Sequence, residues 1–482
     1  MENKNFYITT TLPYVNSDAH LGHALELIRA DVVARFKKLQ GYEVFFNTGT
    51  DEHGVKIFNK AKEAGKTAQE YVDDYSGRFR ALLPKLGISE DINFTRTTDT
   101  QHIVAAQAFW KLCDERGFIE KKKYTTKYCA GCELEKTDSE LVNGACVDHP
   151  NLKLELIDEE NYFFKFSKFT DPLHKFYEAN PDFVIPETRY NEIKAFVSRG
   201  LSDFSISRLK TKMPWGIEVP GDSEQVMYVW FDALVNYIAV IGWPDNQASF
   251  EKWWPAVQYC GKDNLRQQSA MWQAMLMAAG LPNSKQVVID GFITGAGGVK
   301  MSKTLGNVVS PLDVLAEYGT DALRYVLLRE VHPFEDTPFT PEMMKTAFNA
   351  NLANGIGNLT SRVLKMSESY DIKLSNEKIS IIESTNFPEA INSAVNSYRL
   401  DKALDFIWSI IGDADTYIQR EQPFKKIKTD KEAAEKDIEY LLSELVRIGR
   451  YLTPFLPETS AKVISAVKEG KALSAPLFMR KD

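Results

Sequence analysis

At 482 residues the chain is longer than one hydrophobic core ordinarily fills, so about two to four domains are expected. Its 44% hydrophobic and 26% charged residues fit a soluble globular protein, and no apolar run is long enough to span a bilayer. A net charge of −8 argues against indiscriminate nucleic-acid binding but leaves room for a local basic face. The opening residues MENKNFYITTTLPY lack the apolar core and cleavage pattern of a signal peptide, so a cytoplasmic protein is expected, and its five cysteines do not suggest a disulfide framework.

In chain order, residues 1–115 alternate β-rich runs (6–10, 44–47) with helical runs (22–39, 67–83). That is the rhythm of βαβ units and a doubly wound parallel sheet of Rossmann type. Residues 116–225 are irregular and rich in Lys, Cys, Gly and Pro, and read as an insertion. Strand and helix return over 226–305, at 226–228, 267–279 and 287–289, followed by a linker over 306–340. From 341 to 482 the pattern is long amphipathic helices, such as 401–419 and 431–452, and predicts an all-α bundle. The chain stops at Asp482 soon after them, so no appended domain is expected and a monomer is favoured.

Two distant segments carry the clearest chemistry. His20-Leu21-Gly22-His23 follows the first strand and opens a helix, where free N–H groups favour negative charge. The imidazoles are three apart and share a helix face, with Gly22 letting a ligand approach the backbone. Lys300-Met301-Ser302-Lys303-Thr304 follows the glycine-rich Gly295-Ala296-Gly297-Gly298, and two lysines on such a loop suit a departing pyrophosphate. Either segment alone is also compatible with an ordinary surface. Together they grip the two ends of one ATP and point to adenylate-forming chemistry.

A third constellation is metal-like. Cys129-x2-Cys132 and Cys146-x2-His149, thirteen residues apart, have the spacing of a closed tetrahedral zinc site, predicting one structural Zn2+.

On these residues the chain resembles the class I aminoacyl-tRNA synthetases: the first segment looks like their H-x-G-H signature, and the second like their lysine loop, with Thr304 where Ser is commoner. Further matches are Thr11-Leu12-Pro13-Tyr14, Gly49-Thr50-Asp51-Glu52-His53-Gly54, Tyr228-Val229-Trp230-Phe231-Asp232-Ala233-Leu234, Gly261-Lys262-Asp263 and Asn358-Leu359-Thr360-Ser361-Arg362. With these the chain resembles the methionyl-tRNA synthetases over nearly its whole length.

The resemblance implies ATP-dependent activation of L-methionine and its transfer to tRNA(Met). His20, His23, Lys300 and Lys303 are implied as catalytic. ATP contacts are implied at those four and at Arg208, Gly261 and Asp263, with Mg2+ carried by the nucleotide. Leu12, Tyr14, Trp230, Ala233, Leu234 and Tyr237 make an apolar, aromatic wall that suits a thioether, and Asp51 suits the substrate ammonium. Trp230, Ala233 or Leu234, and Tyr237 are expected on one helical stripe.

Asn264 and Gln268 depart from the family, which has an apolar residue and a histidine there. Four apart, they are expected to satisfy each other's amides in the pocket wall. The zinc site corresponds to the single-knuckle form of the family's insertion. Asn358 and Arg362, four apart on one helix, are implied to read the anticodon. Phe424 stands where the family has a stacking tryptophan. Rivals are a class I synthetase for another amino acid, disfavoured by the lack of a large editing insertion, and a small nucleotidylyltransferase, which needs no helical end.

Overall fold

The computed structural model describes residues 4–131, 134–136, 141–147, 149–299, 301 and 309–482. Its centre is a six-stranded sheet, every strand parallel to its neighbour, in the order Asn93–Arg96, Glu43–Thr50, Asn5–Thr10, Val257–Gly261, Gln286–Asp290, Val184–Ile185. The first strand is buried on both faces, as the near-continuous apolar run Phe6–Ile8 requires. The helix Leu21–Leu39 packs on one face of this sheet, and Thr100–Glu115 and Trp272–Ala279 belong to the aromatic core on the other. The order reverses between Asn5–Thr10 and Val257–Gly261, and such a switch point opens a crevice at the carboxyl ends of the strands.

The stretch read as irregular is built largely of antiparallel strands. Ile119–Cys129 pairs along its length with Glu155–Phe164, and the strand expected at 226–228 forms at Asp222–Met227. It pairs antiparallel with Ser207–Leu209 and does not enter the parallel sheet. Conversely, Val184–Ile185 from this stretch supplies the sheet's last strand.

After Pro338 the described residues contain helices and no strand. The longest, Leu400–Glu421 and Lys431–Leu452, pack together in one core with the helix Leu21–Leu39. Arg324 fastens this bundle to the sheet domain. It is fully buried, donates to Asp31 Oδ2 at 2.8 Å, and also donates to the carbonyls of Phe455 at 2.8 Å and Leu86 at 3.1 Å. No described helix is long and apolar enough to cross a membrane.

Candidate active site

A cleft of about 400 Å³ lies at the switch point. Its lining comes from the turn after the first strand, the start of the helix Leu21–Leu39, the end of Glu43–Thr50, the segment 229–237, and the residues after Val257–Gly261 and Gln286–Asp290. Of the residues read from sequence, Leu12, Tyr14, His20, His23, Asp51, Trp230, Ala233, Leu234, Tyr237, Gly261, Asp263, Asn264 and Gln268 all line it.

The histidines sit where the helix start dictates. His20 is the N-cap, and its Nδ1 accepts the Gly22 N–H at 3.1 Å; His23 Nδ1 accepts the His20 N–H at 3.3 Å. The rings stack at 3.8 Å. An added Cβ at Gly22 would lie 2.9 Å from the His20 ring, so glycine is required beneath the stack. With both Nδ1 atoms accepting, each neutral ring carries its proton on Nε2. Desolvation, and then the neighbouring His20, hold the His23 imidazole well below its usual value. His23 is therefore the neutral member of the stacked pair, since two imidazolium cations in contact would repel each other.

Asp51 is tied into the wall by a parallel bridge to Tyr14, its N–H donating to the Pro13 carbonyl at 2.9 Å. The aromatic stripe forms, although not on one helix. Val229–Ala233 and Asn236–Ala239 are two short helices, and Trp230, Ala233, Leu234 and Tyr237 reach the cleft across the break.

The expected Asn264–Gln268 pair does not form. Residues 262–264 make a 3-10 turn and 267–271 a π-turn, so the α-helical i, i+4 spacing does not apply. Gln268 donates to the Tyr237 hydroxyl at 2.6 Å and accepts from Gln258 at 3.1 Å, while Asn264 donates to Asp263 Oδ1 at 3.4 Å.

Arg208 is held by near neighbours in the chain and is not among the residues lining the cleft. It is buried, donates to Ser205 Oγ and the Ser207 carbonyl at 2.7 Å each, and lies over the Tyr228 ring. Lys300, Lys303 and Thr304 lie outside the described residues, but Met301 between the lysines lines the cleft.

Two cleft acids were not read from the sequence. Glu26 Oε1 accepts both the N–H and the hydroxyl of Thr11 at 2.6 Å. Burial pushes its carboxyl up to about 8; Thr11 opposes this, and Asp290 and Asp263 add to it. The 20, 23, 26 spacing, three residues a step along one helix face, was the available signal. Asp290 is held by Arg29 at 2.9 Å, and burial raises its carboxyl to about 6 against that pairing. Only a strand end in an apolar run marks it in sequence.

Because folding raises the Glu26 pKa, the folded state binds the extra proton. That contribution to stability is full below the ordinary carboxylate range and is lost as pH rises through about 8. Glu26→Gln should therefore gain on wild type in denaturant unfolding between about pH 5 and about pH 8. A pH-independent difference would mean that Glu26 titrates as an exposed acid.

Away from the cleft, ligand atoms of Cys129, Cys146 and His149 lie within 4.8 Å of one another. Both thiols are buried, and a Cβ on Gly131 would meet the His149 ring at 2.4 Å, so the turn closes tightly around the cluster. The fourth expected ligand, Cys132, lies outside the described residues. Two soft sulfurs and an imidazole fit a zinc ion. Lys56 on the cleft rim donates to the Gly131 carbonyl at 2.8 Å, joining this turn to the site.

In the bundle, Asn358 and Arg362 lie one turn apart on the helix Asn358–Tyr370. Asn358 is exposed, and Arg362 pairs with Asp415. Phe424 is 40% exposed on the short helix Pro423–Lys426.

A parallel sheet of this order, with H-x-G-H on the first turn beside the switch point, is the catalytic fold of the class I aminoacyl-tRNA synthetases. A family model described as tRNA synthetases class I (M) matches residues 6–155 and 139–364, and one described as the anticodon binding domain of methionyl tRNA ligase matches 376–476. The methionine–tRNA ligase of Caldanaerobacter subterraneus is 41% identical over 95% of this chain and 73% of its own, and that of Rickettsia bellii 39% identical over 96% and 92%. The structure of Mycobacterium tuberculosis methionyl-tRNA synthetase in complex with methionyl-adenylate superposes with a TM-score of 0.90, at 34% identity, over 99% of this chain and 100% of that one. The chain belongs to the methionyl-tRNA synthetase family.

Proposed function

We propose that this methionine–tRNA ligase forms methionyl-adenylate in the cleft and passes the methionyl group to the 3′ end of tRNA(Met). The observation that carries the reading is the meeting in one cleft of the stacked histidines with the wall of Asp51, Trp230 and Tyr237. In the first step the methionine carboxylate attacks the α-phosphorus of ATP in line, and pyrophosphate leaves. In the second, a ribose hydroxyl of the terminal adenosine attacks the activated carbonyl, and AMP leaves.

The protein's part is positioning and charge stabilisation. Asp51 holds the ammonium, and Leu12, Tyr14, Trp230, Ala233, Leu234 and Tyr237 enclose the thioether. Gln268, through Tyr237, helps shape that end, and Asn264 borders it. Gly261 and Asp263 meet the adenosine, and His20 and His23 donate to the phosphates. Lys300 and Lys303 neutralise the departing pyrophosphate with Mg2+ on the nucleotide. Arg208, held by Ser205 and the Ser207 carbonyl, is a further candidate for the phosphates. ATP–pyrophosphate exchange run with each amino acid in turn tests the reading: methionine alone should support fast exchange, and dependence on another amino acid would displace it.

On this reading residues 1–115 and 226–305 form the catalytic domain around the 116–225 insertion, 306–340 is a linker, and 341–482 reads the anticodon. We place the enzyme in the cytoplasm, a reducing compartment in which the thiols of the Cys129–Cys146–His149 cluster stay reduced.

Cys129, Cys132, Cys146 and His149 would hold one zinc, which supplies cross-linking of the turn and no step of the reaction. Elemental analysis should return about one zinc per chain, and Cys129→Ser should lower it and deprotect amides around 129–149 in hydrogen exchange. A metal-free protein with unchanged protection would remove the assignment.

Asn358, Arg362 and Phe424 carry anticodon recognition, and Arg362 must release Asp415 to do so. Stacking on Phe424 should contribute about 1–3 kcal/mol, so Phe424→Ala should slow tRNA charging roughly ten- to a hundredfold and leave methionine-dependent exchange unchanged. Since the ring is 40% exposed, the melting temperature should hold; charging and melting falling together would make Phe424 a packing residue.

A further inference from the structure

Two of the matched segments each present a side chain to the cleft and bury, two positions on, another behind it. Gly49–Gly54 presents Asp51 and buries His53, and Tyr228–Leu234 presents Trp230 and buries Asp232. The chemistry above uses neither buried residue, yet they are bonded to each other. Asp232 Oδ2 lies 2.6 Å from His53 Nδ1, and its Oδ1 lies 2.6 Å from Nε2 of His102 on the helix Thr100–Glu115. One inaccessible carboxylate thus joins the two walls of the amino-acid end and anchors both to a third element.

The electrostatics agree with the geometry. Burial alone would raise the Asp232 carboxyl, but His53 and His102 outweigh it and hold it down at about 2. His102 Nδ1 is buried with no hydrogen-bond partner among the described residues, so the ring's hydrogen bond among them is the one from Nε2 to Asp232 Oδ1. His53 is fixed from its other side by the Trp215 ring at 5.7 Å, and Trp215 in turn donates to the Glu52 carbonyl at 2.6 Å. The neighbouring charge, Glu52, is already taken by Arg96 at 2.8 Å. Each cleft residue is two positions from its clamp residue, so a shift of the clamp reaches Asp51 and Trp230 with little slack.

We infer that Asp232, gripped by His53 and His102, is a positioning residue that sets the spacing of Asp51 and Trp230 and thereby the enzyme's affinity for its amino acid, without touching it. The inference rests on the reading of that wall as the methionine site. Asp232→Asn keeps the shape but turns one acceptor into a donor facing an imidazole N–H. His102→Leu removes one donor from a helix that does not line the cleft, and His102→Gln can return an amide N–H to the same place.

In ATP–pyrophosphate exchange with the full chain, Asp232→Asn and His102→Leu should each raise KM for methionine about tenfold, the scale of one lost hydrogen bond to a charged group, and leave KM for ATP within about twofold. His102→Gln should recover most of the loss. Two results overturn the inference: folded variants with an unchanged methionine KM, or methionine and ATP KM values that rise together with a falling melting temperature and no rescue by glutamine. Asp51→Ala, run alongside, separates the two levels. If it too leaves the methionine KM unchanged, the site reading fails and takes the clamp with it. If it raises KM while the Asp232 and His102 variants do not, the clamp alone fails.

Discussion

His20→Asn should lower the methionine-dependent ATP–pyrophosphate exchange rate by about two to three orders of magnitude, the usual scale for removing one oriented donor from a developing phosphate charge. Asparagine keeps the capping role, since its side-chain oxygen can still accept the Gly22 N–H, so the helix start should survive. What goes is the Nε2 donor and the ring on which His23 stacks at 3.8 Å. His23→Gln should cost a similar factor, and the double variant little more, because the stacked rings act as a unit. Methionine affinity measured without ATP should not move. Near-wild-type exchange in His20→Asn would remove the histidines from the chemistry.

Asp51→Ala should raise KM for methionine by about a hundredfold, on the scale of roughly 2–3 kcal/mol for a charge-assisted hydrogen bond lost from a desolvated site. KM for ATP should stay within about threefold, since Asp51 is read as a contact to the amino acid and not to the nucleotide. The backbone bridge from Asp51 to Tyr14 does not depend on the carboxylate, so the wall should keep its course. Methioninamide, which keeps the ammonium, should lose affinity in parallel with methionine, and an analogue without the amino group should bind wild type and variant alike. Equal losses for both analogues would mean that the substitution disturbs the pocket as a whole.

Much of the fold was legible because local chemistry and tertiary structure agree. The helix Lys431–Leu452 begins and ends where its apolar period does, and His20 marks the N-cap that the strand-turn-glycine pattern announces. The cleft was legible as a set of residues because its walls are short contiguous segments, each at a strand end.

The inserted sheet was not. Ile119–Cys129 reads Ile-Glu-Lys-Lys-Lys-Tyr-Thr-Thr-Lys-Tyr-Cys, with no clean alternation. What stabilises it is pairing across the sheet with Glu155–Phe164, where Lys123 faces Glu160 and Lys121 faces Tyr162. Such a register between segments thirty residues apart has no local signature.

The Asn264–Gln268 expectation failed for a related reason. It assumed a regular α-helix where the chain takes a 3-10 turn and then a π-turn, and the amide of Gln268 went to Tyr237 and Gln258 instead. The Asp232 clamp was equally hidden, since its three members come from elements far apart in sequence and only the fold brings them to 2.6 Å.

The central claim is that methionyl-adenylate forms between the stacked histidines and the Asp51–Trp230 wall. The most direct measurement is a crystal structure of the protein with a non-hydrolysable methionyl-adenylate analogue. The account predicts the ammonium within hydrogen-bond distance of Asp51, the thioether enclosed by Trp230 and Tyr237, and the phosphate mimic beside His20 and His23. A ligand bound outside this cleft, or bound within it with the thioether toward the histidines, would contradict the account.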